Sequence, residues 1–87
     1  MSAPIRVLYF AWLRERVGVA REEIPLPEGV GTVGALVDHL SARDARHEAA
    51  FRDRRTVRCA VNQEFAELSD AVRPGDEVGF FPPVTVG

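Results

Sequence analysis

Glu77-Val78-Gly79-Phe80-Phe81-Pro82-Pro83-Val84-Thr85-Val86-Gly87 reads as a strand that runs into two prolines and stops at a glycine. Proline donates no backbone hydrogen bond, so sheet pairing is expected to end at Pro82. The residue before a proline is pushed towards extended geometry, so Phe81 should still follow the strand. The expected outcome is a domain over residues 1–81 and an extended, flexible tail of Pro82, Pro83, Val84, Thr85, Val86 and Gly87. Stretched at ~3.3 Å per residue, such a tail reaches ~20 Å. A slim end of this kind can enter a narrow site on another protein, whereas the ordinary fate of a chain end is to fray.

Working back from the tail, Arg73-Pro74-Gly75-Asp76 places proline and glycine at the two central positions of a type II turn feeding the last strand. Thr56 to Val61 alternates, with Val57, Cys59 and Val61 on one face, and is predicted as a strand. Asn62-Gln63 would turn it into Glu64-Phe65-Ala66, although the usual hairpin glycine is missing. Asp44 to Arg55 is polar around Ala49, Ala50 and Phe51 and predicts one loose helical turn. Val33, Leu36, Val37 and Leu40 after Thr32 have the spacing of an amphipathic helix. Thr32 is its N-cap, and the helix should run to about Arg43. Arg21 to Leu26 reads as an edge strand because of Pro25. Trp12 to Val17 suits a short helix closed by Gly18. Ile5 to Phe10 is the first strand, with Ile5, Val7 and Tyr9 on one face and Arg6, Leu8 and Phe10 on the other.

One main helix across a mixed sheet of four to five strands is an α+β, two-layer domain. A single helix covers one sheet face, yet the first and last strands carry apolar side chains on both. The excess either marks a partner site or lies under loops and the short helix; the pattern leaves both open.

Composition narrows the function. At 87 residues the chain is one small domain, and 46% hydrophobic residues argue against disorder. A formal net charge of −2 offers no basic footprint for nucleic acid. No apolar run is long enough to cross a bilayer, and the start lacks the features of a signal peptide. The single cysteine permits no internal disulfide. A cytoplasmic protein is expected. All 11 basic residues are arginine, which removes lysine Schiff bases and lysine-based phosphate loops.

Catalytic constellations are missing from the pattern. Cys59 lies mid-strand in an apolar row, as a buried structural cysteine does. His39 and His47 are dispersed, so no metal-ligand spacing arises. Serine occurs only at Ser2, Ser41 and Ser69, none in a nucleophile elbow. Asp53 among Arg52, Arg54 and Arg55 reads as a solvated charged face, with an anion site as the alternative. The chain looks like something acted on by enzymes, or a subunit of one.

Several segments carry a family likeness in order and spacing: Ile5-Arg6-Val7-Leu8-Tyr9-Phe10-Ala11, Leu13-Arg14-Glu15, Thr32-Val33 with Leu36, Ala60-Val61-Asn62-Gln63, and Gly75-Asp76-Glu77-Val78 followed by Phe80-Phe81-Pro82-Pro83-Val84. Over essentially its whole length the chain resembles the small subunits of molybdopterin synthase, which are ubiquitin-like sulfur carriers of the β-grasp fold. The resemblance implies that the first and last strands are parallel neighbours. It implies that a ubiquitin-activating-like adenylyltransferase uses ATP to adenylate Gly87. A persulfide-derived sulfur then makes a thiocarboxylate. The large subunit, in a heterotetramer, takes the tail and passes its sulfur to cyclic pyranopterin monophosphate. Leu8, Phe10, Arg14, Phe80 and Phe81 are the implied partner contacts, and no cofactor or metal is bound by the chain itself. Two other readings stand beside this one: a non-catalytic β-grasp binding module, and a carrier for another pathway such as thiamin synthesis. The family ends in Gly-Gly, and here the penultimate residue is Val86. A β-branched residue stiffens and widens the tail. That leaves open a tolerated variant, an altered end, or a paralogue without sulfur transfer.

Overall fold

The structure is a computed structural model, and it describes residues 3–83. Alternation makes β1 (Ile5–Tyr9) a two-faced strand, with Ile5, Val7 and Tyr9 buried. After Ala11 the chain enters α1 (Trp12–Val17), which buries Leu13 and Val17 and closes at Gly18 in the left-handed conformation. β2 (Arg21–Ile24) follows and stops before Pro25, two residues short of the expected end at Leu26.

Helix α2 (Val33–Ser41) starts at Thr32, whose hydroxyl accepts the Ala35 N–H at 3.1 Å. Its buried stripe is Val33, Leu36, Val37 and Leu40. The expected extension to Arg43 does not form, because the chain turns at Ala42 to begin α3.

The stretch expected to hold one loose turn is an ordered helix, α3 (Ala45–Ala50), followed by a 3₁₀ turn at Arg54–Thr56. Asp44 caps α3 by accepting the His47 N–H at 2.9 Å. Burial of His47, Ala50 and Phe51 holds it. Propensity was a poor guide here because tertiary packing supplies most helical stability. Thr56 therefore lies in the 3₁₀ turn, and β3 (Arg58–Val61) begins two residues later than the alternation suggested.

β3 turns into β4 (Glu64–Ala66) through Asn62 and Gln63, both with positive φ, at 51° and 70°. Two left-handed residues make the primed turn that suits a hairpin, here without glycine. The Arg73–Asp76 turn has Gly75 at φ 88° and an Asp76 N–H donating to the Arg73 carbonyl at 3.1 Å, as a type II turn requires. It delivers β5 (Glu77–Phe81).

The sheet order is β2-β1-β5-β3-β4. β1 and β5 are parallel neighbours, and the remaining pairs are antiparallel. The core joins Ile5, Val7, Tyr9, Val78, Phe80 and Cys59 of the sheet to buried residues of all three helices. The helices therefore share one sheet face.

Candidate docking face and tail root

Strand register assembles the opposite face. Arg21 pairs with Leu8, Leu8 with Gly79, Gly79 with Ala60, and Ala60 with Phe65. Cross-strand partners point to the same side of a sheet, so these residues form one row running from edge to edge. The next row towards the tail holds Phe10 and Phe81, with Arg58 paired to Phe81. Phe10 is 49% exposed and Phe65 85% exposed, while Leu8, Ala60 and Phe81 are half-buried. Phe65 and Phe81 lie with ring centroids 5.9 Å apart. Among the described residues no helix covers this row.

Gly79 is central to the surface. A Cβ placed there would meet Phe10 Cε2 at 3.2 Å. The missing side chain lets the Phe10 ring lie down over β5, which keeps the face low and aromatic.

Parallel pairing of β1 and β5 sets the tail root beside the end of β1. The Phe10 N–H donates to the Phe80 carbonyl at 3.0 Å, and β5 then passes to half-buried Pro82 and exposed Pro83. Next to this root a groove of about 750 Å³ is lined by Val57, Arg58, Cys59, Phe65, Leu68 and Phe81, among others. Arg14 is exposed on α1, on the segment that follows β1. Val84, Thr85, Val86 and Gly87 lie outside the described residues.

The expected partner contacts divide. Leu8, Phe10 and Phe81 come together on the open face, with Arg14 on the neighbouring helix. Phe80 is a correction: it is fully buried, packed edge-on against Phe51 with centroids 4.9 Å apart. Successive residues of a strand point to opposite faces, so Phe80 and Phe81 cannot both serve a partner. Phe65 was missed. Its signal was present in Glu64-Phe65-Ala66, where alternation puts Phe65 opposite its core-facing neighbour Ala66.

Cys59 is buried, and its thiol donates to the Ala66 carbonyl at 3.2 Å. Burial, with Asp70 and Glu67 nearby, pushes the thiol up despite the opposing Arg58 charge. A thiol held in that form is a poor nucleophile. The charged stretch resolves into ion pairs: Arg52 with Glu48, Arg54 with Asp38 and Arg55 with Asp53. Among the described residues no group of three His, Cys, Asp or Glu could hold a metal ion, and no helix is long and apolar enough to cross a membrane.

Known proteins match this chain over nearly its whole length. The molybdopterin synthase sulfur carrier subunit of Escherichia coli K12 is 41% identical over 83 residues, covering 95% of this chain and 99% of that protein. The Mycobacterium tuberculosis protein of the same name is 41% identical over 85 residues, covering 95% and 96%. A solved Pyrococcus furiosus structure, provisionally named molybdopterin converting factor, subunit 1, superposes with a TM-score of 0.76. It is 37% identical and covers 95% of this chain and all of its own. The sequence pattern of the ThiS family spans residues 7–87, so the chain belongs to the ThiS family.

Proposed function

We propose that this chain is the sulfur-carrier small subunit of a molybdopterin synthase, with Gly87 as the reacting residue. The observation that carries the reading is the 41% identity, over 95% of the chain, to proteins bearing that name.

In this reading the Gly87 carboxylate attacks the α-phosphate of ATP on an adenylyltransferase, and pyrophosphate leaves. The carboxylate becomes a mixed anhydride, whose AMP is a good leaving group. A sulfur nucleophile attacks the acyl carbon and AMP departs with the bonding pair. Where the sulfur comes from a persulfide, a thiol then reduces the remaining S–S bond and releases the thiocarboxylate. In the large subunit the thiocarboxylate sulfur attacks a carbon of cyclic pyranopterin monophosphate and displaces an oxygen leaving group; water then cleaves the acyl–sulfur bond, leaving sulfur on the pterin and a carboxylate on Gly87. The described part of the chain contributes the docking face, built from Leu8, Phe10, Phe65 and Phe81, and the two prolines that end sheet pairing before the tail. Aromatic anchors in an apolar patch suit a protein partner. A cytoplasmic setting fits the reading.

The test is intact mass after incubation with the cognate adenylyltransferase, ATP and a sulfur donor. One oxygen should be exchanged for sulfur, and a chain lacking Gly87 should show no exchange. If neither the protein nor its Val86→Gly variant gains sulfur with an active enzyme, the carrier reading fails and a non-catalytic binding module replaces it.

A further inference from the structure

His47 is 4% exposed, and both of its ring nitrogens meet carboxylates. Nε2 lies 2.7 Å from Glu22 Oε2, and Nδ1 lies 2.8 Å from Asp44 Oδ1. The same Glu22 oxygen accepts the Tyr9 hydroxyl at 2.7 Å, and Glu22 Oε1 accepts Arg43 Nη1 at 3.3 Å. Asp44 Oδ1 also accepts the His47 backbone N–H at 2.9 Å. Each carboxylate is thus serving as an acceptor to several donors, which is the work of its ionised form.

A neutral imidazole has one N–H. Its second nitrogen would aim a lone pair at a carboxylate oxygen at hydrogen-bond distance, with no proton between them. Two donors remove that conflict. We infer that His47 is held as an imidazolium and forms, with Glu22, Asp44 and Arg43, a charge-balanced latch fastening α3 to the β1–β2 side of the sheet.

Two carboxylates and two cations cancel. The titratable and charged groups facing the ring are Tyr9 from β1, Glu22 from β2, Arg43 from the α2–α3 connection and Asp44 at the helix cap. Arg46, one residue before His47, reaches instead to the place a Gly18 side chain would occupy. The Tyr9 ring meets the imidazole edge-on at 6.0 Å and continues into Phe51 and Phe80. The latch therefore holds down the helix whose end supplies Ala50 and Phe51 to the core. With only one ring proton, one of the two contacts, to Glu22 or to the half-exposed Asp44, would set a lone pair against a carboxylate and loosen the hold on α3. The inference is independent of the sulfur-carrier reading, since it concerns residues far along the chain from Gly87.

The direct test is nitrogen-15 NMR of the unaltered protein at pH 7.5. Both ring nitrogens of His47 should show bonded protons. A ring with one protonated nitrogen would overturn the inference. A second arm measures thermal unfolding. His47→Gln removes a buried ring and one charged donor from the Glu22 carboxylate, which stays 16% exposed, so it should lower the melting temperature by about 5 °C or more. Adding Glu22→Gln to His47→Gln should recover a substantial part of that loss, which a purely packing role for the ring would not allow. A double variant no more stable than His47→Gln would also count against the latch. If His47→Gln does not fold, the ring spectrum of the unaltered protein decides alone.

Discussion

The Asn62 side chain bonds to Asp76 across fourteen positions of sequence, its amide nitrogen donating to Asp76 Oδ1 at 3.1 Å. Asn62 Oδ1 accepts the Glu77 backbone N–H at 3.0 Å, and the Asn62 backbone N–H donates to the Glu77 carbonyl at 2.8 Å. Asp76 Oδ2 in turn accepts the Arg73 N–H at 2.8 Å. One side chain thus ties the β3–β4 hairpin to the type II turn that launches β5. Asn62-Gln63 and Gly75-Asp76-Glu77, two separate pieces of the family likeness, meet here for a structural reason.

Replacing Asn62 by Ala should remove both side-chain bonds and force alanine into positive φ, costing about 2–3 kcal/mol. Gln63→Gly should act in the opposite sense. Gln63 already sits at φ 70°, and glycine relieves that strain, a gain of up to about 1 kcal/mol against its extra freedom in the unfolded chain. Urea unfolding of the two variants checks both signs.

Phe80 and Phe81 should separate stability from binding. Phe80→Ala opens the core and should cost about 3–5 kcal/mol, a large fraction of the total stability of ~5–15 kcal/mol for a domain. Phe81→Arg should leave the unfolding midpoint nearly unchanged and weaken binding to the large subunit by at least about 30-fold, the scale of an interface hot spot. Phe65→Arg should behave like Phe81→Arg. Calorimetric titration with the large subunit, beside thermal melts, tests all three.

Gly79→Val should fold less well and bind less well together. Its side chain would drive the Phe10 ring off β5, since even a Cβ meets that ring at 3.2 Å. Overpacking of this kind costs about 1–3 kcal/mol, and the raised ring would spoil the fit of the face.

Acid should destabilise the domain through the His47 cluster. Burial pushes Glu22 up, but the bonds from His47 and Tyr9 and the charges of His47 and Arg43 outweigh it and hold the carboxyl below its usual range. The backbone and side-chain bonds from His47 hold Asp44 low as well. The unfolded chain therefore takes up protons first as pH falls. The stabilisation is present above the ordinary carboxylate values of about 4 and is lost as pH drops through and below them. Glu22→Gln should flatten the slope of stability against pH between about 5 and 2, measured by urea unfolding. An unchanged slope would remove Glu22 from the acid response.

Val86→Gly should leave the melting temperature unchanged, because a terminal residue contributes little to the core. In the proposed sulfur-carrier reading, its sulfuration rate against that of the unaltered chain reports whether the activating enzyme accepts a β-branched residue before Gly87. Equal rates mean tolerance, and sulfur gain only with glycine means that Val86 blocks the tail.

Features governed by near neighbours in the chain were legible in the residues alone. Thr32 as a cap, Gly18 as a helix stop, the Arg73–Asp76 turn and the two faces of β1 all depend on residues within a few positions of one another. The β-grasp likeness supplied the parallel pairing of β1 with β5. The rest was decided by which distant segments the topology brings together. Phe65 joins the open apolar face only because β3 pairs with both β4 and β5, which sets its ring beside Phe81. Phe80 is lost to partners because β5 lies mid-sheet with the helices on its Phe80 side. His47 looked like a residue of a polar stretch. It is buried because α3 folds onto the sheet where Glu22, twenty-five positions earlier, supplies a carboxylate at 2.7 Å. Local pattern specifies which way a side chain points, and only tertiary structure determines what it meets there.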